Sequence, residues 1–201
     1  SKNVSFNGIY AKSAKYFVVM LVILLVFSLD VILAKRFFSP ELAGKYAVLS
    51  MLGKMIFFGT LAISKAMFPL TSEKSNNAKA STKIFKKSLL TVGLLCLFAV
   101  IIFALIPNLI VRVLYGSQYM DVAKYLVYSG LALSFLSMSK LVLVYGLSTD
   151  KIRNSVCLFI FLILEIVLLS FFHSNILEYI LAFMVSNIIM FIGSFFFLKR
   201  D

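Results

Sequence analysis

The sequence DVILAKRFFSPELAGKY, residues 30–46, closes one long apolar run and opens another. Asp30 lies near the end of the first run, and Pro40 lies where a new helix would begin. Lys54 and Lys65 follow inside the second run. Placing a lysine or an aspartate at the centre of a bilayer costs about 2.5–3.5 kcal/mol, so such residues usually face a protein interior or a wet cavity. These charges therefore predict a polar interior inside an apolar helix bundle.

Composition points to a membrane protein. Of the 201 residues 62% are hydrophobic and 14% are charged, and the mean hydropathy is +1.03. Apolar runs long enough to cross a hydrocarbon core of ~30 Å recur along the sequence. We predict an all-α integral membrane fold, with an amphipathic linker over residues 1–14 and a bundle of six transmembrane helices over residues 15–201. The spans are expected at 15–34, 44–70 (ending around Pro69), 88–106, 122–147, 156–172 and 179–198.

The cations between the spans predict the orientation. Of the 20 lysine and arginine residues, twelve lie on the side that holds both termini, five lie on the other side, and three lie inside spans. Loops on the cytoplasmic side of a membrane carry such an excess. We therefore predict that both termini of this chain are cytoplasmic.

The three lysines inside spans, Lys54, Lys65 and Lys140, are candidate substrate-binding cations of a cavity. Lys54 and Lys65 are eleven residues apart, about three helical turns, so they point to the same side. Lys54 lies roughly 13 Å from Lys45 along the helix, too deep to reach the interface easily, which favours the cavity. Lys65 is nearer the cytoplasmic end, so an interfacial position remains an alternative for it.

Two acids inside the spans, Asp30 and Glu165, are candidates for ion pairing or for proton or cation coupling. Asp30 either pairs with Lys35 or Arg36 at the end of its span or acts across the cavity. Glu165, in the middle of the fifth span, is a candidate partner for Lys140.

Serines share one side of the fourth span with Lys140. Ser129 is eleven residues before this lysine, and Ser137 falls near the same side. Small hydroxyl residues in membrane helices usually serve close packing or hydrogen bonds between helices, which the serines alone favour. The lysine favours a cavity, because packing gains nothing from a buried ammonium without a partner.

Other function classes find little support. No Ser-His-Asp set, paired carboxylates or phosphate-binding glycine loop is visible, so we predict a protein that is not an enzyme and has no cofactor. His173, Cys96 and Cys157 lack metal-ligand spacing. The net charge of +12 accompanies no nucleic-acid-binding module and is explained by the loops, so the expected partner is the lipid bilayer.

Three motifs occur in one order: SPELAGKYA at 39–47, Phe68-Pro69 before a lysine-rich loop, and LYGSQY at 114–119. With the preceding acid they resemble the polysaccharide (O-antigen, Wzx-type) flippases of the MOP superfamily. The resemblance implies a transporter that moves undecaprenyl-diphosphate-linked oligosaccharide across the bacterial inner membrane, as in lipopolysaccharide synthesis. Such proteins have two six-helix lobes around a cavity, and this chain looks like the second. The first would then come from a longer protein or from a second copy.

Under this resemblance, Lys54, Lys65 and Lys140 would bind the diphosphate, because lysines bind phosphate as point charges. A cation-coupled multidrug exporter of the same superfamily is an alternative, although it would favour carboxylates, and here only Asp30 and Glu165 oppose three lysines. A non-transporting scaffold subunit, whose polar residues only hold helices together, is another. A membrane sugar polymerase is a third, and it would be expected to carry a large loop with acidic or histidine residues.

Overall fold

The computed structural model describes residues 6–152 and 154–198. Across these residues the chain is almost entirely helical, and one isolated bridge joins Ile152 to Leu198. Short 3-10 segments cover Ser117–Tyr125 and Val156–Leu158. The α-helices of the described part are α1 (Phe6–Phe37), α2 (Pro40–Glu73), α3 (Ala78–Leu105), α4 (Pro107–Tyr115), α5 (Leu126–Ser148), α6 (Phe159–Phe171) and α7 (Ile176–Phe196).

Five helical segments in the described part are long and apolar enough to cross a membrane. They are Ser13–Phe37, Pro40–Glu73, Ala78–Leu105, Ser117–Ser148 and Ile176–Phe196. A sixth apolar segment, Val156–Phe171, is shorter and extends roughly 25 Å. The prediction of an all-α integral membrane bundle is therefore confirmed. In the described part five of the six predicted spans match segments of this length, and the fifth predicted span matches the shorter segment.

One end of the bundle is formed by residues 74–77 and 149–152, and we call it the basic end. Here Lys15 Nζ lies 3.4 Å from Asp150 Oδ1, which joins the start of the first span to the end of α5. Thr71 Oγ1 and Ser148 Oγ share a hydrogen bond of 2.6 Å, which joins the end of α2 to the same place. The bridge to Leu198 brings the last described residues to this end too.

The opposite end holds the other set of connections. Lys45 Nζ lies 2.8 Å from Asp121 Oδ2, which ties the start of α2 to the segment before α5. The Phe37 ring stacks on His173 with centroids 4.5 Å apart, which places the end of α6 beside the end of α1. The short segment Val156–Phe171 therefore runs from the basic end to the opposite end of the bundle. Both described ends of the chain lie at the basic end.

Several helices extend beyond the predicted spans. The largest difference is in α3, which begins at Ala78, ten residues before the predicted start of its span at 88. α1 begins at Phe6, so residues 6–14 continue directly into the first span, whereas residues 1–5 lie outside the described residues. α2 runs through Pro69 to Glu73, so the helix itself continues past the proline around which the span was predicted to stop. Proline removes one backbone donor, a loss that membrane helices tolerate when their neighbours support them.

The predicted start of α2 is confirmed. Pro40 is its first residue, and the Ser39 side chain caps it by accepting a hydrogen bond of 3.5 Å from the backbone N–H of Leu42. The orientation of the bundle in the membrane stays a prediction. Four cations that support it, Lys2, Arg153, Lys199 and Arg200, lie outside the described residues.

α5 is the central helix and packs against α2, α3 and α7. Its serines serve packing, as the sequence alone favoured. Ser129 Oγ donates a hydrogen bond of 2.6 Å to the carbonyl of Leu49 on α2. Three further serines donate to carbonyls four residues earlier on α5 itself: Ser134, Ser137 and Ser139. Most of these serine hydroxyls are therefore already bonded to backbone carbonyls of α5 itself.

Gly53 lets α2 and α5 approach this closely. A Cβ atom there would lie 2.4 Å from Ser129 Oγ and 2.9 Å from the Ser129 carbonyl oxygen. We expect Gly53→Ala to lower the free energy of unfolding by about 1–3 kcal/mol through overpacking. Thermal unfolding of the purified protein in detergent measures the effect. Gly44→Ala, whose Cβ meets nothing within 4 Å, is the matched control, and equal effects of the two changes would contradict the prediction.

Candidate functional site

A buried charge lies between α1 and α2. The Asp30 side chain is completely buried and is bonded by three residues of α2, with which it forms what we call the Asp30 cluster. Tyr46 Oη and Ser50 Oγ donate to Oδ2 at 3.1 and 2.5 Å, and Lys54 Nζ lies 3.1 Å from Oδ1. The three donors are spaced four residues apart, so they form one stripe along α2.

This geometry decides between the two alternatives that the sequence left open for the partner of Asp30. The carboxylate does not pair with Lys35 or Arg36, which are both exposed, but with Lys54 on the next helix. At about 100° per residue, Lys35 points roughly 140° away from Asp30 around α1. Lys54 is also not a free cavity cation, because its ammonium is neutralised by the acid.

Aromatic residues surround this ion pair. Tyr179 Oη of α7 donates a hydrogen bond of 2.7 Å to the backbone carbonyl of Asp30, and its ring meets Tyr46 edge-on at 4.8 Å. Lys54 Nζ lies 4.7 Å from the centroid of Phe27. The Asp30 cluster thus joins α1 to α2, and the Tyr179 hydroxyl ties α7 to the same place.

Glu165 of α6 is an unusual buried acid. Its side chain is 1% exposed, and neither carboxylate oxygen has a hydrogen-bond partner among the described residues. The charges that act on it are those of Asp30 and Lys54. The predicted pairing with Lys140 is therefore wrong, because α6 packs on α1 and α7. A carboxylate without a donor is costly in an apolar interior unless it binds a proton or a cation.

Lys65 and Lys140 meet in a separate cavity of about 140 Å³, which we call the lysine pocket. No carboxylate among the described residues lines it. The remaining wall is formed by aromatic, aliphatic and hydroxyl side chains: Tyr16, Met20, Ser64, Phe68 and Val144. The two like charges face one space without an acidic partner there, so the pocket suits an anion.

Two phenylalanines separate the lysine pocket from the Asp30 cluster. Lys140 Nζ lies 4.7 Å from the centroid of Phe57, and this ring packs against Phe27 at 4.9 Å. The ammonium of Lys54, in turn, lies over the Phe27 ring. The structure thus brings two of the three predicted lysines together and leaves Lys54 on the far side of an aromatic pair.

The sequence pattern of a family described as polysaccharide biosynthesis protein matches residues 2–124, which are 123 of the 201 residues. The chain belongs to this family. No curated protein and no solved structure matches the chain. The match includes the whole Asp30 cluster and Lys65, whereas Lys140, Glu165 and Tyr179 lie beyond it.

In this polysaccharide biosynthesis protein, sequence reasoning missed the hydroxyl donors to the acid. Tyr46 and Ser50 precede Lys54 by eight and four residues, so their shared stripe was visible in the sequence. Tyr179 gave no such signal. An aromatic residue at the start of a span is usually an interfacial anchor, and only the three-dimensional structure shows that its hydroxyl bonds to the Asp30 carbonyl.

Proposed function

We propose that this protein is a flippase, or one lobe of a flippase, that moves a lipid-diphosphate-linked oligosaccharide across the bacterial inner membrane. Its family acts in polysaccharide biosynthesis, and its fold is a multi-pass membrane bundle. The observation that carries the proposal is the lysine pocket, where Lys65 and Lys140 line one cavity whose described wall contains no acid.

The chemistry of the pocket suits a lipid diphosphate. Two ammonium groups provide point charges for the phosphate oxygens. Met20, Phe68 and Val144 supply an apolar wall for the first carbons of the lipid chain. Tyr16, beside Lys15 at the basic end, also lines the pocket, and the orientation predicted from the loop lysines would place that end at the cytoplasm. The headgroup would therefore enter from the cytoplasmic side.

The Asp30–Lys54 pair and Glu165 have different roles in this proposal. Lys54 and Asp30 position α1 against α2, so Lys54 supports the site without touching the ligand. Glu165 is the candidate for coupling, since a proton or a cation would serve its unpaired carboxylate. Release of this ligand to the other leaflet requires a second lobe that rocks against the first. A longer protein or a second copy of the chain would supply it.

The lysine pocket makes the proposal testable. We expect Lys65→Gln and Lys140→Gln each to weaken binding of farnesyl diphosphate about tenfold or more, because each removes one charge-assisted contact. Binding is measured by calorimetry on the protein in nanodiscs, and flux is measured in proteoliposomes with a fluorescent lipid-diphosphate saccharide.

Two further variants act as controls for this test. Lys65→Arg keeps the charge and should retain most of the binding. Lys87→Gln removes an exposed lysine of α3 and should change nothing. Unchanged binding of farnesyl diphosphate after loss of both pocket lysines would contradict the proposed function.

A further inference from the structure

A second cavity, of about 550 Å³, opens at the basic end. We call it the vestibule. Its wall is formed by residues of α1, of the end of α2 with the loop after it, and of the end of α5. The polar residues that matter below are Ser13, Ser72, Ser75, Asn76 and Thr149.

The vestibule is rich in hydroxyl and amide groups and carries no uncompensated cluster of charge. Ser72, Ser75 and Asn76 are exposed, and their side chains make no hydrogen bond within the described part of the chain. Its charged residues, Lys15 and Asp150, have opposite signs and lie 3.4 Å apart. Such a wall offers donors and acceptors to a neutral ligand with many hydroxyl groups.

Tyr16 and Phe68 line both cavities. Their rings meet edge-on with centroids 6.1 Å apart, so an aromatic wall divides the vestibule from the lysine pocket. Aromatic faces also pack well against the C–H faces of pyranose rings. The two adjoining cavities therefore share an aromatic boundary. The lysine pocket is cationic, whereas the vestibule is neutral and polar.

We propose that the vestibule binds the sugar residues of the ligand while the lysine pocket holds the diphosphate to which they are attached. The inference rests on the proposed function and extends it from a charge site to a two-part site. A cavity of this size holds one or two sugar units, so the first sugars next to the diphosphate would be recognised and the rest of the glycan would extend into water. The polar contacts would come from Ser72, Ser75 and Asn76.

The test compares ligands with and without a sugar. Binding of farnesyl diphosphate and of its glucose and N-acetylglucosamine conjugates is measured by calorimetry on the protein in nanodiscs. We expect at least one conjugate to bind about tenfold more tightly than farnesyl diphosphate, because the sugar adds two or more hydrogen bonds. Ser72→Ala/Asn76→Ala should remove this gain and leave the affinity for farnesyl diphosphate unchanged.

The opposite end of the bundle supplies a matched control. Asn108→Ala/Ser117→Ala changes the same residue types at exposed positions there and should keep the gain. The retained affinity for farnesyl diphosphate shows that each variant is folded. No gain with either sugar, or a gain that survives in Ser72→Ala/Asn76→Ala, would overturn the inference while the lysine pocket stands. Loss of the dependence on Lys65 and Lys140 would instead overturn the proposed function and this extension with it.

Discussion

Lys54→Met is expected to lower the free energy of unfolding by about 3–5 kcal/mol, because it leaves a completely buried carboxylate without its counterion. The two hydroxyl donors, Tyr46 and Ser50, remain, so Asp30 keeps part of its hydrogen bonding. They cannot replace the ammonium charge. The free energy is measured by reversible unfolding of the purified protein in bicelles.

A second substitution tests whether the loss comes from the pair. In Asp30→Asn/Lys54→Met the buried charge is gone from both sides, and the double variant should regain most of the stability. Lys45→Met is the control on the same helix, because its partners Glu41 and Asp121 are exposed and such pairs contribute about 0–1 kcal/mol. If Lys54→Met lowered the free energy of unfolding no more than Lys45→Met does, the result would contradict the role of the pair.

The same variants separate positioning from ligand binding. If Lys54 only holds α2 against α1, the stable double variant should still bind farnesyl diphosphate with the affinity of the parent protein. If the double variant were folded but had lost this binding, Lys54 would be a residue of the ligand site. The sequence favoured that role because Lys54 lies deep in its span, but depth alone does not reveal a partner on the neighbouring helix.

The partner of Asp30 was within reach of the sequence. Two helices joined by a short turn place residues at equal distances from the turn opposite each other. Asp30 and Tyr46 are each eight residues from Phe38, so the stripe of Tyr46, Ser50 and Lys54 falls beside the acid. The hydropathy pattern had already given the hairpin, and Ser39-Pro40 had fixed where its second helix begins.

The surroundings of Glu165 and Lys140 were beyond the sequence. Both lie inside apolar spans that follow one another along the chain, which suggested a pair. Hydropathy tells which segments cross the membrane but not which ones are neighbours, and α6 packs on α1 and α7. Lys140 meets Lys65 only because α2 packs against α5, an arrangement that depends on the close contact at Gly53.

Glu165→Leu is expected to make the protein more stable and to abolish coupled transport. The variant removes a buried group whose two oxygens lack partners, so the free energy of unfolding should rise by about 1–3 kcal/mol. If Glu165 binds the coupling proton, flux driven by a pH gradient should fall to background in proteoliposomes. Sites that exchange ions are held in strained or unsatisfied states, which explains why a gain in stability can accompany a loss of function.

Two comparisons make this prediction specific. Glu165→Asp keeps an exchangeable carboxyl and should retain part of the coupled flux, whereas Glu165→Gln keeps the shape but should lose it. The charged and titratable groups that act around Glu165 are Asp30 and Lys54, with Tyr46 on α2 and Tyr179 on α7, and all are unchanged in these variants. Farnesyl diphosphate binding should also be unchanged, because the lysine pocket lies elsewhere. Full pH-driven flux in Glu165→Leu would remove this residue from the coupling mechanism while leaving the anion site in place.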